Sequence, residues 1–117
     1  MVNVPVYTPG PLGLRGEYLP PNSRPVSETA YTANASDSGR VIVSNSSATF
    51  TLTIPVNLPS GFNCGWSQRG AGTLTLAAGA GVTMNQRQSH TGSAGQFANG
   101  NILNVDLNEY DWGGDTA

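Results

Sequence analysis

Lysine is absent from this chain, and cysteine and histidine occur once each, as Cys64 and His90. Charged residues make up only 10% of the sequence, against roughly a quarter in an average globular protein. The net charge of −2 supplies no basic field for a phosphate backbone, so nucleic acid is not an expected partner. One cysteine cannot form an intrachain disulfide, which fits synthesis in a reducing compartment. One Cys with one His cannot build a Cys/His zinc site within a single chain. No run approaches the roughly 18 apolar residues of a spanning helix, so no membrane partner is expected. The opening "MVNVPVYTPG" has neither a basic n-region nor a long apolar run, and no signal peptide is expected. The N-x-[ST] triplets at Asn34 and Asn45 then read as ordinary turn residues.

Polarity comes instead from Ser, Thr, Asn, Gln and Gly, and such a neutral surface suits close packing against other proteins. Prolines are unevenly placed: six of eight fall within residues 1–25. Proline fixes φ and removes a backbone donor, so this stretch reads as an extended docking arm rather than a folded layer. Tyr7, Leu12, Leu14, Tyr18 and Leu19 are spaced along it, more large apolar groups than a solvated linker carries. They are expected to grip a partner surface, with Arg15 as one charged contact. "GPLGLRG", residues 10–16, has glycine at every third position. Two Gly-X-Y triplets are too few for a collagen triple helix, and the later prolines leave the register. The motif is expected to let the arm bend closely over its partner.

The remainder, 26–117, is expected to be one β-domain. Short β-runs alternate with turn signals. "TAYTA" (29–33), "RVIVS" (40–44), "ATFTLTIP" (48–55), "FNCGWSQ" (62–68), "TLTLAA" (73–78), "VTM" (82–84), "QFA…NILNVDL" and "EYDW" (109–112) are the candidate strands. Period-2 alternation places Phe50, Leu52 and Ile54 on one face and Thr49, Thr51 and Thr53 on the other. Phe62, Cys64 and Trp66 share a face, and Leu74 and Leu76 point inward. Ile102 or Leu103, with Val105 and Leu107, are expected as core contacts. The two "GAG" stretches, 70–72 and 79–81, read as hairpin turns, because no helix follows them as a dinucleotide fingerprint requires. No window has a 3.6-residue period. The expected fold class is therefore all-β: a small jelly-roll-like β-sandwich or barrel of about eight short strands.

Candidate chemistry is sparse. His90 sits in the polar loop "NQRQSHTGSAG" without a flanking nucleophile motif. Cys64, mid-strand between Phe62 and Trp66, is expected to be structural. Asp106, Glu109, Asp111 and Asp115 gather near the C-terminus, with Glu109 and Asp111 on one strand face. Paired carboxylates serve glycoside hydrolysis or calcium binding, and more commonly form a solvated strand face. Trp66, Trp112, Tyr110 and Tyr31 are candidates for a sugar platform or for core and interface. No catalytic residue, cofactor or metal site is assigned.

The block at 51–85, "TLTIPVNLPSGFNCGWSQRGAGTLTLAAGAGVTMN", followed by "GQFA" and the terminal "EYDWGGDTA", resembles a recurrent module in virion proteins of tailed bacteriophages. The shared order is T-I-P-x-x-L-P-x-G-F, a G-A-G-x-[VL]-T strand pair, a G-V-T step, G-Q-[YF]-A and a closing W-x-x-x-G-D. Here Trp112 is followed by "GGD", a shortened last step, and the arm lies outside the resemblance. The resemblance implies a structural, non-enzymatic role in the virion and carries over no catalytic residue. Together with the arm it leads to an expected capsid decoration or cement protein, homotrimeric through its β-domain and docked on the major capsid protein or another virion protein. A tail-fibre or baseplate knob that binds a host glycan or receptor is the alternative.

Overall fold

The computed structural model describes residues 23–117. Among these residues nine strands form two sheets: β1 (Ser23–Val26), β2 (Ala30–Thr32), β3 (Val41–Ser44), β4 (Phe50–Ile54), β5 (Asn63–Gln68), β6 (Leu74–Ala78), β7 (Thr83–Gln86), β8 (Asn99–Asp106) and β9 (Glu109–Gly114). A 3-10 turn at Ala35–Asp37 is the sole helical element among the described residues. The all-β expectation holds.

The arrangement is solenoid-like, where a sandwich or barrel was expected. Successive strands alternate between the sheets and pair in parallel with the strand of the same rank one coil later. β1, β3 and β5 stack in the first sheet, and β2, β4 and β6 in the second. One coil advances 18 residues from Ser23 to Val41 and 24 from Val41 to Gly65. Alternation reports that one face of a strand is buried. It does not report whether the neighbour runs parallel or antiparallel, and that choice separates a solenoid from a sandwich.

Parallel stacking aligns like residues. Phe50 lies beside Leu74, and Leu52 beside Leu76, on the second sheet's inner face. Ile42 lies beside Trp66 on the first. These side chains, with Cys64, Ile102, Tyr110 and Trp112, form one core. Thr51 and Thr75 pair on the outer face, so the alternation read from the sequence is the one realised.

The corners explain the glycines. The stretch 70–72 is not a hairpin, since it carries the chain from β5 in one sheet to β6 in the other. It lies directly over the preceding corner: Gly72 N donates to Ser46 O (3.0 Å) and Gly70 N to Ser44 O (3.0 Å). A Cβ on Gly72 would collide with the Ala48 carbonyl, and one on Gly70 with the Ser46 carbonyl. The stretch 79–81 is likewise a corner, between β6 and β7.

The C-terminal third departs from the coil. β7 occupies the first sheet but does not pair with β5. The antiparallel hairpin β8–β9 is inserted between them, giving the order β1-β3-β5-β8-β9-β7. Beyond β6, residues 91–93 run along its edge: Leu76 N donates to Thr91 O (3.0 Å) and Ser93 N to Leu74 O (2.8 Å). That backbone satisfies an edge that otherwise invites pairing with other chains.

Candidate functional site

The hairpin β8–β9 creates the most distinctive surface. Ile102 faces the core and is fully buried. Leu103, the alternative to Ile102 as a core contact, is exposed at 46%, and Val105 and Leu107, expected as core, are exposed at 50% and 87%. Two local features cause this. Leu103 has outward parity, opposite Asn63 and Asp111. A bulge then shifts the register between Asn104 and Asp106, so Val105 has no cross-strand partner. Leu107 projects from the following turn, where Asn108 adopts φ 52°.

Asparagine amides hold this hairpin tip against the β4–β5 corner. Asn108 Oδ1 accepts from Asn57 N (2.9 Å) and Asn104 Oδ1 from Gly61 N (2.9 Å). Asn104 Nδ2 donates to the carbonyls of Asp106 (2.8 Å) and Glu109 (3.1 Å). Between tip and corner runs a groove of about 480 Å³, lined by Leu58, Ser60, Gly61, Val105, Asp106 and Leu107 among others. Val56, 39% exposed, belongs to the same corner. The result is an apolar strip with a polar, hydrogen-bonded base.

A second groove lies between β7 and the 89–91 loop, with Met84, Asn85, Gln86, His90 and Trp112 on its walls. Gln86 organises the loop: its Oε1 accepts from His90 N (2.7 Å) and Gln88 N (2.8 Å). His90 Nδ1 lies 2.8 Å from Thr116 Oγ1. His90 is thereby tied to the C-terminal segment, with no carboxylate among its hydrogen-bond partners in the described residues.

The carboxylate pair comes together in part. Asn85 Nδ2 donates to both Glu109 Oε2 (2.9 Å) and Asp111 Oδ1 (3.0 Å). One amide bridging two exposed acids is a strand-face arrangement. Asp106 is occupied at the tip, accepting from Leu107 N (2.7 Å), and Asp115 contributes backbone bonds to Ala94 and Asn99. Among the described residues, no three His, Cys, Asp or Glu side chains converge in a metal-holding group.

The four candidate platform aromatics do not share a surface. Trp66 and Tyr110 are buried, Trp112 is 7% exposed and stacks edge-on against Trp66 at 6.4 Å, and Tyr31 is half-buried. Cys64 is buried, and that burial pushes its thiol up to about 12, with a smaller push from Asp37. A thiol held protonated is a poor nucleophile.

Asp37 is a charged residue that the sequence reading passed over. It is fully buried at the corner after β2. Its Oδ2 accepts from Tyr31 Oη (2.8 Å) and Asn34 N (2.9 Å), and Arg24 Nη2 lies 3.2 Å from Oδ1. Asn34 caps the turn by accepting from Ser36 N (3.0 Å). The reciprocal spacing, Asn three residues before Asp, is the capping-box signal that marks such a corner.

The arm residues Tyr7, Leu12, Leu14, Arg15, Tyr18 and Leu19 lie outside the described residues. No family model, curated protein or solved structure matches the chain. The geometry and the chemistry of the residues therefore carry the functional reading.

Proposed function

We propose that this chain is a non-enzymatic structural protein of a tailed-bacteriophage virion, acting as a capsid decoration or cement protein. The carrying observation is the exposed strip Leu103, Val105 and Leu107 beside the 480 Å³ groove. Large aliphatic groups grouped on a surface so poor in charge mark a protein-docking site. The order of motifs from Thr51 to Asn85 supports the virion setting. The proline-rich arm supplies a second attachment, and joining several such contacts through a homotrimer raises avidity without new chemistry. The partner is the major capsid protein or another virion protein.

Copy number and position in purified particles test this reading. Hundreds of copies on the capsid lattice are expected. A few dozen or fewer at the tail would replace it with the tail-fibre or baseplate reading, and absence from particles would end both.

The groove with Asn85, Gln86, His90 and Trp112 favours that second reading, since clustered amides beside an indole edge suit a glycan. Glycan-array binding that disappears in Asn85→Ala would establish it. Asn85 is exposed, so this substitution leaves the core intact.

A further inference from the structure

The sheet register fixes the direction from which the chain arrives at the domain. Ser23 stands opposite Val41, Val41 opposite Gly65, and Gly65 opposite Asn101. β1, β3 and β5 are parallel, and β8 runs against β5. From Asn101, β8 therefore travels through Leu103 and Val105 toward the end of the sheet at which residue 22 joins β1. The exposed strip and the start of the described chain lie at the same end of the molecule.

Reach follows from strand geometry. Three spacings of about 4.8 Å separate β1 from β8, and each residue along a strand adds about 3.3 Å. The path from Ser23 is then about 16 Å to Leu103 and about 24 Å to Leu107. Extended chain covers at most about 3.3–3.6 Å per residue. Tyr18 can therefore reach Leu103, and Leu14 can reach Leu107.

The two segments also match in chemistry. Leu12 and Leu14 are two residues apart, as are Leu103, Val105 and Leu107. Arg15 in one segment complements Asp106 in the other, a residue of the groove wall. We propose that residues 12–19 of the same chain are seated on the strip formed by Leu103, Val105 and Leu107, leaving the first eleven residues to meet a separate partner. This assignment gives the strip to the chain's own segment and passes docking on a virion partner to the first eleven residues, so it can fail while the virion reading holds, and the reverse.

Paired cysteines in the full chain test it. In the Leu14→Cys/Leu107→Cys protein at micromolar concentration, mild oxidation should give an intramolecular disulfide. Its formation should outpace that of Leu14→Cys/Ser47→Cys by about tenfold or more, reflecting a higher effective concentration. Ser47 is exposed and lies in the corner after β3, at the opposite end of the sheet. Equal rates for the two pairs would overturn the proposal. Disulfide-linked dimers would also overturn it, by seating the segment of a second copy. A readout without cysteines uses an apolar dye: Leu12→Ser/Leu14→Ser in the full chain should raise dye fluorescence by uncovering the strip. Unchanged fluorescence would count against the seat.

Discussion

Two buried groups, Cys64 and Asp37, carry measurable consequences at the scale of single residues. The Cys64 thiol is raised from 9.0 to about 12, chiefly by burial. Folding thus holds a proton that the unfolded chain releases above about pH 9. Between that pH and about pH 12 the unfolded state binds fewer protons, so stability falls as pH rises, by up to about 1.4 kcal/mol per unit. Tyr31 and Tyr110, both raised by burial, steepen the fall above their usual value of 10.0. Urea titrations from pH 8 to pH 11 should show this loss, with a shallower slope for Cys64→Ala. An identical slope would remove Cys64 from the explanation. In the native protein at pH 8, thiol reagents should label Cys64 only as fast as the molecule unfolds. Asp37 makes the complementary case. Its carboxylate satisfies a hydroxyl and a backbone amide at one corner and faces the Arg24 guanidinium. Asp37→Ala strands those donors in a buried site and should cost about 2–4 kcal/mol in equilibrium denaturation. A loss below about 0.5 kcal/mol, the range of ordinary surface substitutions, would mean that water replaces the carboxylate there.

At the scale of elements, the corners decide the fold as much as the strands do. Gly72 packs on the backbone of the preceding corner, and an added methyl meets the Ala48 carbonyl. Gly72→Ala should therefore lower stability by about 1–3 kcal/mol, the usual range for overpacking. Gly95 is the control: a Cβ there meets nothing within 4 Å, and Gly95→Ala should stay within about 0.5 kcal/mol. Parallel thermal melts of the two variants make the comparison, and equal melting temperatures would refute the corner argument. The same contrast shows what was legible beforehand. Strand positions from β2 to β9 and the inward faces of β4, β5 and β6 follow from alternation, because burial of one face imprints period 2 on the side chains. β1 escaped notice because Pro25 reads as a strand breaker, yet it is tolerated where β1 forms an edge of the sheet. The glycine stretches were misread as hairpins because tight turns and coil corners demand the same residue. The outward strip was hidden because the bulge at Val105 breaks the alternation, and a bulge leaves no fixed residue signature in a single chain. Leu103 shows the ambiguity directly: either it or Ile102 could face inward on sequence grounds, and the pairing with Cys64 selects Ile102.

At the scale of the whole molecule, the two ends of the stack are built differently. Beyond β6, residues 91–93 cover the edge, and in the first sheet the β8–β9 hairpin replaces the next coil. That replacement gives the molecule its apolar strip, because an inserted antiparallel hairpin needs a turn and the turn presents Leu107. The inner face of the hairpin supplies core side chains, Ile102, Tyr110 and Trp112, while its outer face contributes nothing to that core. Stability and docking are therefore separable, and a combined Leu103→Ser/Val105→Thr/Leu107→Ser variant distinguishes them. Each residue is already 46% exposed or more, so little buried apolar area is lost on substitution. Global unfolding free energy should change by no more than about 1 kcal/mol in total if no other surface covers the strip. If residues 12–19 are seated there, the variant should lose more, because each buried aliphatic group contributes on the order of 1.5–3 kcal/mol before the cost of ordering the segment. On the proposed virion role, an open strip predicts weaker binding of the variant to virions lacking the wild-type protein, read as copies retained per particle after sedimentation, whereas a strip seated with residues 12–19 predicts retention close to wild type. Wild-type retention by a folded variant would show that the strip takes no part in assembly, and would leave the first eleven residues to carry attachment alone.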